Sequence, residues 1–248
     1  MRRKLKIGIA YDVKEDYKIS TKGFKHCDFS TLAEISIIKQ SLEQRGHSVI
    51  LLGNYEKIYN MFITRNFPDI DIVLNTAEGI VSRNREGWLP SLFEINNIPY
   101  SGSDAYTLGL TLNKAHTKII ANYIGIPTPD FYIINGDIMQ IPQNISPPWI
   151  IKPNYEGSSS GVRYVDDVSS LYNVVNELLT EYHQPLLCES YISGREFATS
   201  ILYTGEKAKC IGTVEIIRKS GSNIHIFSAE DKYSDTCTKI PANISKDL

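Results

Sequence analysis

With 248 residues, the chain is longer than one average domain and has ample length for a buried core in two or three units. Its 26 basic and 28 acidic residues give a formal charge of −2, which supplies neither the basic surface of a nucleic-acid-binding protein nor an acidic tail. No apolar run reaches the roughly 20 residues of a membrane helix. We therefore expect small-molecule partners, no nucleic acid and no membrane.

The N-terminus and the cysteines bear on the cellular compartment. The first strand pattern follows the initial charged residues at once, which leaves no room for the apolar core of a signal peptide. The four cysteines lie far apart, without the dense spacing of a secreted disulfide scaffold. They are interpreted as reduced thiols, and a cytoplasmic location follows.

Short apolar runs alternate with helical patterns over the first hundred residues. Strands are predicted at 5–10, 48–52 and 70–74, and helices at 32–42, 55–66 and 89–96. Strands separated by helices predict a parallel sheet. We place the first domain boundary at residue 107, just beyond a Ser-Gly-Ser break.

The remainder of the chain mixes both kinds of element. Helices are predicted at 112–123 and 168–182, and strands at 130–134, 149–153, 162–165 and 185–188. Residues 136–148 are interpreted as a polar surface connection. Strand-like segments at 196–203, 208–218 and 225–227, joined by glycine turns, predict a β-meander.

A strand that ends in Lys152 continues into the small-residue loop GSSSG at 157–161. Glycines let backbone N–H groups approach phosphate, hydroxyls add donors, and the lysine adds a positive charge. Neither a Walker A nor a GxGxxG motif is present. The pattern indicates a polyphosphate-binding loop, although a flexible hairpin connection can have the same composition.

Glu189 and Glu196 flank an apolar segment that ends in a glycine turn. Adenine needs backbone donors and acceptors beside an apolar slot, and ribose needs a carboxylate to accept its hydroxyls. This segment can supply both, and an ordinary strand and turn is the alternative.

The ordered motifs of this chain resemble those of the D-alanine–D-alanine ligase family of the ATP-grasp superfamily. Each motif is weak alone, but the ordered set is specific. The motifs are LNTAEG at 74–79, REG at 85–87, EINNIPYSGS at 94–103, Asn113-Lys114, Lys118, GIPTP at 125–129, the loop at 157–161, the Glu189 segment and EDKY at 230–233.

The resemblance implies an ATP-grasp fold that combines α/β and α+β parts. The expected domains are an N-terminal Rossmann-like parallel-sheet domain at 1–107, a small central α+β lid domain at 108–186, and an incomplete C-terminal antiparallel-sheet domain at 187–248. A homodimer is a further expectation, since dimers are common in the family.

The resemblance also implies roles for individual residues. The expected ATP-binding residues are Lys114, Lys152, Gly157, Ser158, Ser159, Glu189, Ser190, Tyr191, Ile192, Glu196 and Lys232. The expected catalytic or substrate-side residues are Ser158, Tyr233 and Glu86. The alternatives are solvated surface positions for the lysines, a helix-capping role for Glu86 and a core position for Tyr233. The histidines show no metal-ligand spacing.

Two departures from the family pattern limit what the resemblance implies. The Ser-x-Glu-x-x-x-Ser signature that holds the first amino acid's ammonium in the family is absent from residues 11–30; Glu34 is a possible substitute, with helix capping as the alternative. After Tyr233 the family continues with the carboxylates that bind magnesium, whereas this sequence ends at Leu248. We expect ATP and Mg²⁺ as cofactors, no metal ligands in these 248 residues, and weak or absent catalysis by the chain alone.

The implied function is that of an ATP-dependent carboxylate–amine ligase, which joins amino acids or short peptides through an acylphosphate during cell-wall biosynthesis. Two alternatives stay open. The chain can be a non-catalytic ATP-binding protein, or one subunit of a split ligase whose unpaired C-terminal sheet edge accepts a partner strand.

Overall fold

The computed structural model describes residues 3–17, 28–80, 82–136, 145–219, 226, 228–233 and 236–243. The chain divides into two units, one comprising Met1–Thr128 with Asn154–Gly157 and the other Pro129–Pro153 with Ser158–Leu248. The division into three domains at residues 107 and 186 stays a prediction. Within the described ranges, no helix combines the length and the apolar composition needed to cross a bilayer.

In the described part of the first unit, a parallel sheet is flanked by helices. The elements are β1 (Lys6–Tyr11), α1 (Leu32–Gln44), β2 (Ser48–Gly53), α2 (Tyr55–Ile63), β3 (Ile72–Thr76), α3 (Trp88–Ile95), α4 (Ala105–Leu112) and α5 (Lys114–Tyr123). The strand order is β2-β1-β3, and Ile9 lies opposite Leu51 on one side and Leu74 on the other. The predicted parallel sheet is confirmed.

Both faces of this sheet are covered. Ile9 packs with Ile35 of α1, whereas the next residue, Ala10, joins a core with Ile58 of α2 and Phe93 of α3. Successive residues of a strand point to opposite faces of the sheet, which places Ile9 and Ala10 in different cores. Helices on both faces are the usual setting of a parallel sheet.

Side-chain caps fix where the helices begin. The Thr31 hydroxyl accepts from the Glu34 N–H (3.2 Å), and the Glu34 carboxylate accepts from the Thr31 N–H (2.7 Å), which forms a capping box at the start of α1. Glu34 is therefore a capping residue. Asn54 and Asp104 cap α2 and α4 in the simpler way, each accepting one backbone N–H.

The second unit contains antiparallel sheets. Its elements are β4 (Phe131–Ile134), β5 (Trp149–Pro153), β6 (Arg163–Val165), α6 (Val168–Tyr182), β7 (Leu186–Ser190), β8 (Glu196–Leu202), β9 (Lys209–Arg218), α7 (Ala229–Tyr233) and β10 (Cys237–Pro241). One sheet has the order β4-β7-β5-β6 and the other β10-β9-β8. The combination of parallel and antiparallel sheets agrees with the expected fold class.

The core of the second unit lies between α6 and the four-stranded sheet. Leu171, Val175 and Leu178 recur at helical spacing on α6 and pack with Trp149 and Ile151 of β5. The Trp149 indole N–H donates to the carbonyl of residue 145 (3.2 Å), so its polar atom is satisfied inside the core. The β10-β9-β8 sheet is far more open, with residues 197–202 all exposed.

Most predicted elements are present, and three of the α-helices and strands given above were not predicted. These are α4, whose sequence AYTLGLTL places Gly109 in its middle, the one-turn helix α7, and β10. The helix predicted at 55–66 was too long. In the structure α2 ends at Ile63, and Arg65 adopts a left-handed backbone. Of the strand expected at 225–227, only residue 226 is described, and most of the connection at 136–148 lies outside the described residues.

Replacement of Ile151 by alanine should expose how much the α6 core contributes to stability. Ile151 is fully buried, so we expect Ile151→Ala to lower the free energy of unfolding by about 2–5 kcal/mol. Urea unfolding followed by circular dichroism measures the loss. Ile201→Ala, at a side chain that is 59% exposed on β8, is the matched control and should cost far less; equal losses would contradict the assignment of the core.

Candidate functional site

A cleft of about 350 Å³ lies in the second unit, beside the ends of β5 and β7. Its size is that of a small-ligand site. Its lining residues are Pro129, Ile150, Lys152, Ser159, Val162, Glu189, Ser190, Tyr191, Ile192, Ser193, Gly194, Arg195, Glu196 and Ile226. The structure thus brings together seven of the residues expected to bind ATP, namely Lys152, Ser159, Glu189, Ser190, Tyr191, Ile192 and Glu196.

Strand pairing creates the charged centre of this cleft. β5 runs antiparallel to β7 with Ile150 opposite Glu189 and Lys152 opposite Leu187. The Lys152 ammonium contacts the Glu189 carboxylate, and their side chains are only 21% and 11% exposed. An ion pair so little exposed is weakly screened by solvent and gives the cleft a fixed pair of opposite charges. Lys152 is therefore not a solvated surface lysine.

The backbone after β7 offers a limited set of hydrogen-bonding groups. The Ser190 N–H donates to Asp130 (3.1 Å) and the Tyr191 N–H donates to Pro148 (2.9 Å). Among the described residues, no acceptor is found for the Ile192 N–H. Of the three backbone donors expected to meet adenine, Ile192 is thus the one available to a ligand.

Arg195 does not contribute a free charge to the cleft. Its guanidinium forms a bidentate pair with Glu215 of β9, at 2.7 and 2.6 Å, and lies 4.8 Å from the centroid of the Phe197 ring. The carboxylate of Glu215 is in turn held ionised, since the hydrogen bonds from Arg195 lower its pKa. Arg195 therefore anchors the turn between Gly194 and Glu196 to the neighbouring strand.

The small-residue loop has an unusual backbone. Ser158 and Ser159 adopt φ angles of 48° and 60°, in the left-handed region that non-glycine residues rarely occupy. Such conformations are costly and concentrate at functional sites, where the surroundings hold them. Gly157 lies in the first unit, where the position of a Cβ would be 3.4 Å from an Asp28 carboxylate oxygen.

The first unit holds a separate cluster of charges around Arg85. The buried guanidinium pairs with Glu86 (3.0 Å), Asp28 (3.3 Å) and, more distantly, Glu156 (3.8 Å). Lys114, at the start of α5, contacts the Glu156 carbonyl, and its own N–H donates to Asn154 (3.2 Å). The residues after β5 are thereby fixed to the start of α5.

Glu86 faces this cluster and makes no capping contact. Gly87, the residue that precedes α3, has no side-chain cap, and the Glu86 carboxylate instead accepts from Arg85. Burial raises the pKa of Glu86; the positive charge of Arg85 opposes that shift and the negative charge of Asp28 adds to it. The capping alternative for Glu86 is therefore wrong.

A buried aspartate supports the loop beside this cluster. Asp12 is 1% exposed, and its carboxylate accepts the N–H groups of Glu78 (2.8 Å) and Gly79 (2.7 Å) together with the Tyr17 hydroxyl. Gly79 has a φ of 70°, and a Cβ there would lie 2.6 Å from the Arg85 carbonyl oxygen. Only glycine permits this approach of the loop to Arg85.

Glu78 becomes the most perturbed carboxyl of this cluster. Burial raises its pKa to about 8, with further contributions from the negative charges of Glu86 and Asp28. Sequence patterns did not assign a role to Glu78, Asp12 or Arg85. The LNTAEG and REG motifs contain two of them, but their contacts span tens of residues and cannot be read from spacing.

Two expected residues lie on α7. Lys232 is exposed and is not among the residues that line the cleft, and of Tyr233 only the backbone position falls within the described structure. The same helix carries buried Asp231. Burial alone would raise the pKa of Asp231, but hydrogen bonds from Ser228, Arg218 and Thr236 outweigh it and hold the pKa well below its usual range.

Within the described ranges, no group of three or more His, Cys, Asp and Glu side chains is arranged to hold a metal ion.

The chain is similar in sequence to one family model and to several known proteins. The family model "D-ala D-ala ligase C-terminus" matches residues 120–248. The chain is 32% identical over 182 residues to a D-alanine–D-alanine ligase of Flavobacterium psychrophilum, covering 71% of this chain and 53% of that protein. It is 30% identical over 211 residues to the ligase of Bordetella pertussis, covering 84% and 64%. The chain thus spans less than two thirds of these relatives' length.

A solved structure shows the shared fold. The D-alanine–D-alanine ligase from Bacillus anthracis complexed with ATP superposes with a TM-score of 0.65 at 21% identity, covering 97% of this chain and 72% of that one. The expected fold class is confirmed by this likeness.

Removal of the Glu78 carboxyl should change how stability depends on pH. The folded pKa of about 8 exceeds the ordinary value of 4.5, so between these values the folded state binds more protons than the unfolded state and the free energy of unfolding falls as pH rises. We expect Glu78→Gln to raise the melting temperature by several degrees at pH 8.5 and by little at pH 5. Glu15→Gln, at an exposed position of the same unit, is the control; equal gains at both pH values would refute the buried charge.

Proposed function

Because the chain belongs to the D-alanine–D-alanine ligase family, we propose that it binds ATP in the cleft around Lys152 and serves an ATP-dependent carboxylate–amine ligase reaction. The observation that carries the proposal is the convergence of seven motif-assigned residues on one cleft of suitable size. Those residues come from separate parts of the sequence, namely β5, the small-residue loop, β7 and the segment from β7 to the start of β8. Their chemistry matches the three parts of a nucleotide.

The apolar part of the cleft suits a base, and its polar rim suits ribose. Ile150, Val162 and Ile192 supply apolar surface, and the Ile192 N–H supplies a directional donor. Glu196, at the start of β8, supplies a carboxylate that can accept ribose hydroxyls. Glu189 completes the base side through its strand position opposite Ile150.

Lys152 is proposed to bind phosphate oxygens. Its ammonium already contacts Glu189, so a polyphosphate would share or replace that contact in a poorly screened environment. Ser158 and Ser159 would add hydroxyl and backbone donors, and Lys114 and Lys232 would add positive charge if they approach the bound nucleotide. Closure of the loop over the phosphates would exclude water.

The proposed reaction has two steps. A substrate carboxylate oxygen attacks the terminal phosphorus of ATP, the bond to ADP breaks, and an acylphosphate forms. An amine nitrogen then attacks the acyl carbon, phosphate leaves, and the nitrogen loses a proton as the amide forms. Lysines and backbone N–H groups would orient the reactants and stabilise the developing oxyanion.

The charged cluster of the first unit is proposed to hold an amino-acid substrate. Glu78, Glu86, Asp28 and Glu156 outnumber the nearby cations Arg85 and Lys114. An incoming ammonium would offset this excess and favour ionised Glu78. Amino acids or short peptides are therefore the proposed substrates, with Ser158, Tyr233 and Glu86 on the substrate side.

The metal cofactor, the cellular compartment and the oligomeric state are proposed from the same family membership. When bound, magnesium would supply positive charge that offsets the negative charge of the phosphates. Cys188, Cys210 and Cys237 are free thiols, which supports a reducing, cytoplasmic compartment. A homodimer and a role in cell-wall biosynthesis complete the proposal.

Calorimetric titration with ATP and magnesium tests the nucleotide site. We expect Lys152→Ala to weaken ATP binding by about tenfold or more, because a charge-assisted contact in a poorly screened cleft is lost. Lys209→Ala, at an exposed lysine of β9, is the matched control and should leave affinity unchanged. Equal affinities in all three proteins would contradict the assignment of Lys152.

Phosphate release tests the chemistry separately. Release by the 248-residue chain that rises on addition of D-alanine would support the ligase reaction with that substrate. Binding of ATP without release under any amino acid would favour the non-catalytic alternative for this polypeptide.

A further inference from the structure

A buried hydrogen bond joins the small-residue loop to α6. The Ser160 hydroxyl and the Tyr182 hydroxyl lie 2.9 Å apart, in residues that are 4% and 9% exposed. Ser160 belongs to the loop that follows β5, and Tyr182 is the last residue of α6. Neither residue lines the cleft, and neither was assigned a role by the sequence motifs.

The next residue of the loop is clamped by the same tyrosine. Gly161 has a φ of 70°, and a Cβ built there would lie 2.7 Å from Pro153 Cγ and 2.9 Å from Tyr182 Cε2. The Tyr182 ring and Pro153 therefore close on the Gly161 backbone from two sides. Tyr182 thus holds two successive loop residues, one by its hydroxyl and one by its ring.

The residues just before this clamp are the ones with strained backbones. Ser158 and Ser159 adopt left-handed conformations that serine does not favour. Such a conformation persists where surrounding contacts fix it. It also sets the direction of the backbone N–H groups that a phosphate would meet.

We propose that Tyr182 is a positioning residue for the phosphate groups of ATP, acting through Ser160 and Gly161 on the conformation of Ser158 and Ser159. The inference rests on the proposed function. A loop that is already held in its binding conformation loses less conformational freedom when phosphate binds, so affinity gains without a new contact. The adenosine part of the ligand is outside this effect, because its proposed contacts, apart from the side chain of Val162, come from β5, β7 and the segment after β7.

The test compares ATP with adenosine as ligands of the same variants. Tyr182→Phe keeps the ring against Gly161 and removes only the hydroxyl. We expect ATP affinity to fall by about five- to tenfold, the effect of one lost buried hydrogen bond, with adenosine affinity unchanged. Tyr172→Phe, at an exposed tyrosine of the same helix, should alter neither.

A double-mutant cycle assigns the effect to the hydrogen bond. Ser160→Ala should reproduce the loss for ATP, and the double variant should lose no more than either single variant. Ser160→Ala also carries the test if Tyr182→Phe does not fold. The melting temperature of each variant, measured beside the titrations, shows whether the substitution destabilises the protein as a whole. A general loss of structure would weaken the binding of ATP and adenosine together.

The outcomes separate this inference from the proposed function. If the unaltered chain binds ATP no more tightly than adenosine, the proposed phosphate contacts are absent, which contradicts both the proposed function and the positioning role of Tyr182. If it prefers ATP and the variants keep that preference, the nucleotide site stands and the positioning role of Tyr182 is overturned. Parallel losses for ATP and adenosine also overturn it.

Discussion

The antiparallel pairing of β5 with β7 is the constraint on which the second unit depends. Its register places Ile151 and Cys188 on the face covered by α6, and Ile150 and Glu189 on the opposite face. A slip of one residue would exchange these faces, moving charge into the core and apolar groups into the cleft. The same pairing therefore fixes both the core of the unit and the chemistry of its cleft. Burial of the α6 face makes any other register costly.

Each unit contains ionisable side chains that are partly removed from water, and the balance of their charges differs between the two units. In the second unit, Lys152 and Glu189 compensate each other, so the cleft is polar without being strongly charged. In the first, the carboxylates around Arg85 exceed the cations, and burial of Glu78 together with the negative charges of Glu86 and Asp28 raises its pKa. Removing one partner of a buried pair leaves the other uncompensated. Both arrangements are suited to ligands whose own charges complete the balance.

The sequence was most informative where a pattern is formed by residues close together in the chain. A lysine at the end of an apolar strand, a small-residue loop and an acid after a second strand are local signals, and they led to residues that share one cleft. The contacts of Asp12, Arg85 and Tyr182 join residues distant in sequence, so no spacing rule could find them. Helix α4 was missed because Gly109 weakens its pattern, although its cap, Asp104, was a usable signal. Element boundaries depended on single residues such as Arg65, whose left-handed backbone ends α2.

The two tryptophans of the chain lie in different units. The chain contains two tryptophans, and Trp88 begins α3 of the first unit while Trp149 lies in the core of the second. Each unit thus carries its own intrinsic fluorophore, in a different environment. Trp88 forms a T-shaped contact with Tyr55, with ring centroids 5.1 Å apart, whereas Trp149 is buried and hydrogen-bonded. Substituting either indole by phenylalanine would leave emission from one unit alone. The chain can therefore report on the folding of each half without an added label.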